Sequence, residues 1–225
     1  MTSLKISASL LASDFTQLGS DIGEIESSEA NELHFDVMDG QFVPNITIGI
    51  PILESIRPIT KLPIDLHMMV VNPENHIEAF SKAGGNIFTF HAEACENIHK
   101  TINSIRKTSM SVGISIKPET PVEIIYDFID YVDRILVMTV QPGFGGQQFM
   151  PETLPKIKKI AELISKNKRH IDLAVDGGIK KGTVELAIKA GATTLISGTG
   201  LFGHKNGVGA GISDFFQYIE SSKSN

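Results

Sequence analysis

The chain has 225 residues, of which 41% are hydrophobic and 20% charged, and a formal net charge of −6. This is the composition of an ordinary globular protein, and its acidic balance argues against a general binder of nucleic acid or acidic membranes, whose phosphates call for clustered Lys and Arg. A small phosphorylated ligand stays open, because backbone N–H groups hold phosphate with little side-chain charge. Cys95 is the only cysteine, so an intramolecular disulfide is impossible and a reducing cytosol is the expected compartment. The opening residues 1–11 carry one Lys and too short an apolar run for a signal peptide. No apolar stretch is long enough to span a bilayer, so a soluble, cytoplasmic protein without membrane or nucleic-acid partners is expected.

Short β-rich runs alternate with amphipathic segments along the whole chain. Strands are expected at 5–10, 32–38, 64–69, 86–90, 111–116, 134–140, 172–175 and 194–197, and helices at 15–28, 73–83, 98–107, 121–129, 151–166 and 183–189. Asn72-Pro73-Glu74 offers an N-cap, a proline at the first helical position and an acid in the first turn. Thr120-Pro121 repeats that logic, while Ala83-Gly84 and Ala190-Gly191 read as glycine stops. The Gly-rich patch 203–211 and the tail 221–225 read as loose. With no break in composition, the eight β–α units predict a single parallel-stranded α/β domain over 1–225. Eight units close a (β/α)₈ TIM barrel; five or six would suit an open doubly wound sheet.

Polar residues collect at the C-terminal ends of these strands, where barrel enzymes build their sites. Strand alternation puts His34, Asp36 and Met38 on one face of the second strand, and Asp65, His67 and Met69 on one face of the third. The seventh runs into Asp176-Gly177-Gly178. A lone His or Asp at a strand end is more often a hydrogen-bonded structural group than a ligand. If these ends face one centre, however, His34, Asp36, His67 and Asp176 supply two imidazoles and two carboxylates. Such a set suits Zn²⁺, Fe²⁺, Mn²⁺ or Co²⁺ and is too rich in nitrogen for Ca²⁺ or Mg²⁺. Asp65, deeper on the same face as His67, reads equally as a partner orienting a ligand ring and as an ordinary buried hydrogen-bonding group. His91 ends a strand at the same mouth and is a lesser candidate, of a kind more often structural.

Three Gly-rich segments follow the sixth, seventh and eighth strands: Gln141-Pro142-Gly143-Phe144-Gly145-Gly146-Gln147, Asp176-Gly177-Gly178 and Ser197-Gly198-Thr199-Gly200. Glycines are usually just turn residues, but loops after the last strands of a barrel commonly hold phosphate. None ends in the Gly-Lys-Ser/Thr of a nucleotide-binding loop. Met38, Met69 and Met138 each sit near a strand end, where Met is usually core filler. The alternative is a polarizable lining that keeps water from a carbanion-like intermediate. Met68 points the other way, into the core.

These segments closely resemble the ribulose-phosphate 3-epimerase family. The resemblance rests on Ser9-Leu10-Leu11 with Asp14-Phe15, His34-Phe35-Asp36-Val37-Met38-Asp39-Gly40 running into Phe42-Val43-Pro44-Asn45, and Asp65-Leu66-His67-Met68-Met69. It continues through Val137-Met138-Thr139-Val140, the Pro142–Gln147 loop and Val175-Asp176-Gly177-Gly178-Ile179, in family order and over nearly the whole chain. Ala8, Ala12-Ser13 and Gln141 depart from the usual pattern without touching a ligand position.

The resemblance implies a ribulose-phosphate-binding (β/α)₈ barrel, usually a homo-oligomer, with one divalent metal, Zn²⁺ or Fe²⁺ first and Mn²⁺ or Co²⁺ next, on His34, Asp36, His67 and Asp176. It implies Asp36 and Asp176 as the acid–base pair. Substrate contacts carry over to Ser9, His67, Gly143, Phe144, Gly145, Gly146, Gly177, Gly178, Gly198 and Thr199. The expected reaction interconverts D-ribulose 5-phosphate and D-xylulose 5-phosphate, in the pentose phosphate pathway, by two-base proton transfer at C3 through an enediolate whose charge the metal stabilises. The rival readings are an epimerase of a six-carbon substrate such as allulose 6-phosphate, a lyase or decarboxylase on a related barrel, and a non-catalytic sugar-phosphate binder.

Overall fold

A computed structural model describes residues 4–167 and 169–222. Eight strands, β1 (Lys5–Ser9), β2 (Glu32–Met38), β3 (Ile64–Met69), β4 (Ile87–His91), β5 (Ser111–Ile116), β6 (Arg134–Met138), β7 (Asp172–Asp176) and β8 (Thr194–Ser197), close into a parallel barrel in chain order. This is the (β/α)₈ architecture expected from the alternation. The strands are returned by α1 (Leu18–Glu26), α2 (Ile50–Ile56), α3 (Ile77–Lys82), α4 (Ile98–Ile105), a 3₁₀ stretch over Val122–Tyr131, α5 (Leu154–Ser165) and α6 (Val184–Ala190). A four-residue α7 (Thr199–Phe202) and α8 (Val208–Ser222) follow the last strand. Among the described residues no helix is long and apolar enough to cross a membrane.

On β2 both faces are buried, and the two have opposite chemistry. Glu32-Leu33-His34-Phe35-Asp36-Val37-Met38 alternates polar with apolar, yet all seven residues are buried. Leu33, Phe35 and Val37 belong to the main apolar core with α1 and α2 residues such as Ile22, Ile25 and Leu53. The alternate set, Glu32, His34 and Asp36, faces the barrel axis, where it meets inward residues of β3, β6 and β1. On this side the barrel interior is therefore polar, while Leu136, Met138, Ala174 and Ile196 form a small apolar cluster on the β6–β8 side. Parallel pairing fixes the heights: Ser9 stands beside His34, His34 beside Asp65, Asp36 beside His67, and Met138 beside Asp176.

Several local expectations need correction. Asn72 makes no side-chain cap; it takes a left-handed conformation (φ 49°), and Pro73 opens a 3₁₀ turn over Pro73–Asn75 ahead of α3. The Thr120-Pro121 step leads into 3₁₀ rather than α-helix, again without a side-chain cap, because the Thr120 hydroxyl bonds to Glu93 instead. A true cap is Asn97, whose side chain accepts from Lys100 N at 3.0 Å at the start of α4. The stops at Gly84 and Gly191 are as expected, both at positive φ. The short helix α2 has no counterpart among the expected helices. The Gly-rich patch 203–211 is not loose throughout, since α8 begins at Val208. A Cβ on Gly211 would lie 2.2 Å from Leu201 O, so glycine there serves close packing of α8 on α7. Of the tail, 221–222 complete α8, and 223–225 lie outside the described residues.

Candidate active site and metal centre

His34, Asp36, His67 and Asp176 converge at the C-terminal end of the barrel, their ligand atoms all within 4.8 Å of one another. His34 and His67 are fully buried, Asp36 nearly so, and the side chain of Asp176 keeps 19% of its surface toward the mouth. Asp36 Oδ1 lies 3.2 Å from His34 Nε2 and 3.1 Å from His67 Nδ1. Asp176 Oδ2 is 4.0 Å from each of the same two nitrogens.

The far nitrogen of each ring has a partner that settles its hydrogen. His34 Nδ1 donates to Asp65 Oδ2 at 3.0 Å, which turns Nε2 toward the centre as the nitrogen whose proton an ion would replace. His67 Nε2 lies 2.9 Å from His91 Nε2, and His91 Nδ1 lies 3.2 Å from Glu93 Oε2. A carboxylate can only accept, so His91 donates from Nδ1, accepts at Nε2 from His67, and leaves His67 Nδ1 free for an ion. The tautomers follow from the network. This is the arrangement that orients ligand imidazoles in metal sites. Asp65 is thus the ring-orienting partner, and His91, read from the sequence as structural, performs the same service for His67.

Electrostatics point the same way. Burial alone would lower His34, but Asp36 and Asp65 outweigh it and raise the imidazole well above its ordinary range. Burial would raise Asp36, yet the charges and hydrogen bonds of His34 and His67 hold it far below the usual carboxylate range. Burial pushes Asp176 up to about 6, with Asp36 and Asp65 adding to the rise and His34 and His67 opposing it. Two carboxylates this close favour a positive charge between them. Two imidazole nitrogens and two carboxylate oxygens fit a Zn²⁺- or Fe²⁺-type ion.

Above the cluster, the mouth is lined by Ser9, Met38, Met69 and Met138, by the loop 141–147, and by Gly177, Gly178, Gly198 and Thr199. Ser9 donates to Asp36 Oδ2 at 2.9 Å, so it also holds the carboxylate's orientation. His67 lies below the mouth, its Nδ1 3.1 Å from Asp36 Oδ1 and its Nε2 2.9 Å from His91, and is not among the residues that line the opening. The three methionines are buried yet line the opening, and Phe144 stands exposed at the rim. Met68 lies in the main core, as expected.

The glycine corner is built around backbone shape. Gly178 has φ 65°, and a Cβ there would meet Phe149 N at 2.4 Å. Thr139 Oγ1 donates to Gly177 O at 2.6 Å, and Ser197 Oγ donates to Ile179 O at 2.6 Å, which ties the loop after β7 to the ends of β6 and β8. Thr47 Oγ1 likewise donates to Asp36 O at 2.6 Å. Thr47 and the network partners Thr89 and Arg134 carried no signal in the sequence. Nothing local marks them, because their importance comes from neighbours 11 to 102 positions away.

Fold and donor set together define a barrel enzyme whose polar mouth sits over a His₂Asp₂ centre. The chain belongs to the ribulose-phosphate 3-epimerase family, whose sequence model matches residues 5–202. It is 45% identical over 204 residues to the ribulose-phosphate 3-epimerase of Bacillus subtilis, covering 90% of this chain and 94% of that protein. It is 43% identical over 205 residues to that of Schizosaccharomyces pombe, covering 90% and 88%. A cytoplasmic isoform from Oryza sativa subsp. japonica is 42% identical over 203 residues, covering 88% and 87%. Among solved structures, thiamine phosphate pyrophosphorylase from Pyrococcus furiosus superposes with TM-score 0.67 at 13% identity, covering 98% of this chain and 97% of that one. The tryptophan synthase complex from the same organism gives 0.64 at 13% identity, covering 98% and 100%. These two speak for the barrel alone.

Proposed function

We propose that the chain interconverts D-ribulose 5-phosphate and D-xylulose 5-phosphate by proton transfer at C3, with Asp36 and Asp176 as its two acid–base groups. The reaction is that of its family, an isomerase step of the pentose phosphate pathway, and relatives named for it share 40–45% identity over about nine-tenths of the chain. The residue assignment rests on one observation: carboxylates from β2 and β7 meet at the floor of a single mouth, their ligand oxygens within 4.8 Å.

The C3 hydrogen lies beside the C2 carbonyl, so its removal leaves charge spread over the C2 and C3 oxygens. Inversion needs a base on one face and an acid on the other, and two carboxylates that exchange these roles serve both directions. A divalent ion held by His34, Asp36, His67 and Asp176 supplies Lewis-acid stabilisation of that charge, worth several kcal/mol. Ser9 steadies Asp36 from one side. Met38, Met69 and Met138 keep water from the reacting carbon. The backbone at Gly177, Gly178, Gly198 and Thr199 receives the phosphate, and Gly143, Phe144, Gly145 and Gly146 cover the sugar. The donor set favours Zn²⁺ or Fe²⁺, with Mn²⁺ and Co²⁺ as substitutes.

A single barrel domain over 1–225, a cytoplasmic location and a homo-oligomeric state complete the proposal. The lone Cys95 supports the second and the family resemblance the third. The test is incubation with D-ribulose 5-phosphate in D₂O, with and without prior chelation. Xylulose 5-phosphate deuterated at C3, lost on chelation and restored by metal, is expected. A folded, metal-loaded sample that neither forms product nor exchanges the C3 hydrogen would refute it.

A further inference from the structure

We propose that Arg134, on the floor of the barrel, is a positioning residue for the metal centre, acting through Asp65 on His34. The inference rests on the metal reading of the site and goes beyond it to a residue that touches neither ion nor substrate.

The geometry is a continuous charged column. Arg134 Nη1 and Nη2 donate to Glu32 Oε1 and Oε2, both at 2.7 Å. Nη1 also lies 2.9 Å from Asp65 Oδ2, and Nη2 lies 3.3 Å from Asp172 Oδ2. Lys5 closes the base on Asp172 at 2.6 Å. At the upper end, Asp65 Oδ1 accepts from Thr89 Oγ1 at 2.5 Å, while Oδ2 accepts from His34 Nδ1 at 3.0 Å. Arg134 is 1% exposed; Asp65, Thr89 and His34 are at 0%.

Filling the barrel does not require this chemistry. A buried ion cluster commonly yields no more stability than well-packed apolar side chains of equal volume. What the guanidinium does here is specific to Asp65. Arg134 Nη1 stands beside the same Oδ2 that receives the His34 hydrogen, and Thr89 holds the other oxygen, so both oxygens of Asp65 are fixed in place. A carboxylate free to turn about its side-chain torsions would leave the His34 ring without a fixed acceptor. Arg134 fixes the orientation of Asp65, and Asp65 keeps Nε2 of His34 turned to the centre. The fork shape matters, because only a guanidinium reaches Glu32, Asp65 and Asp172 together.

The experiment uses Co²⁺ as probe of the whole chain, with affinity by titration and the visible ligand-field spectrum as readouts. The paired variant R134M/E32Q removes the arginine and one carboxylate without changing the net charge. It is expected to bind Co²⁺ about 10–100-fold more weakly, the usual effect of losing an outer partner, and to show an altered spectrum. Arg134→Lys, whose single ammonium stays with Glu32 and cannot fork to Asp65, is expected to lose at least about threefold. This variant decides the matter if the pair fails to fold. Ile212→Ala, in the core under α8, is the control for destabilisation and should leave both readouts unchanged. Folded Arg134 variants with wild-type affinity and spectrum would overturn the proposal. If the wild-type chain itself binds no Co²⁺, the metal reading falls, which is a separate result.

Discussion

The Nε2 atoms of His67 and His91 stand 2.9 Å apart, with both rings fully buried. Two ring nitrogens at this distance share one hydrogen, and its position decides whether His67 can present a lone pair at Nδ1. Burial lowers His91 to about 4 and Glu93 opposes that fall, so the ring is neutral at neutral pH. With Glu93 taking its Nδ1 hydrogen, His91 is left as an acceptor. We therefore expect His91→Ala to weaken metal binding by about 10–100-fold with the barrel intact. A competition titration against a chromophoric chelator measures this, and unchanged affinity would return His91 to a packing role.

In the proposed mechanism, Asp176→Asn removes one acid–base group and one charged ligand. Turnover at saturating metal is expected to fall by about 10²–10⁴. Metal content measured on the same sample separates the two effects. A near-normal rate with full metal would take Asp176 off the catalytic pair.

Glu93 provides a pH-dependent contribution to stability. Burial alone would raise its carboxyl, but bonds from His91, Lys117 N and Thr120 hold it down at about 2, against an ordinary value of 4.5. A depressed acid stabilises the fold fully above its ordinary value, and that contribution disappears as pH falls from 4.5 toward 2. The stabilisation at stake is up to about 3 kcal/mol. Urea melts of wild type and Glu93→Gln at pH 7 and near pH 3 should therefore converge at the acid end. Parallel curves would mean that Glu93 titrates normally.

Gly178→Ala should act on the substrate's phosphate end. Its φ of 65° disfavours any L side chain, and the new methyl would press on the Phe149 backbone at 2.4 Å. The loop must shift, so KM is expected to rise by at least about tenfold, the equivalent of 1.4 kcal/mol, with a smaller change in turnover. An unchanged KM would place the phosphate elsewhere on the rim.

The sequence by itself determined the β–α alternation and the pairing of donors on single strand faces, while the closed barrel and the four-residue donor set followed from the family resemblance. Polar residues repeating at every second position in 32–38 and 64–69 can only share one face of a strand, so His34 with Asp36 and Asp65 with His67 were legible as pairs before any coordinates. The glycines after the late strands were legible for a similar reason, because the type of residue is itself the signal. Helix starts were less so. Asn72 and Thr120 belong to residue types that cap helices, yet they spend their backbone or side chain on other contacts, and such competition is tertiary.

What only the tertiary structure decided is how the inward faces of different strands meet. Strand register sets Asp36 beside His67 and His34 beside Asp65, but the closure of the barrel brings Arg134 of β6 to Glu32 of β2, 102 positions away. Asp65 and His91 could each have been an ordinary buried group; the partners on their far side make them orienting residues. A charged side chain at the base of a strand has no local pattern to mark it. Its role is defined by which carboxylates the closed sheet places within reach, and periodicity in the chain carries no record of that.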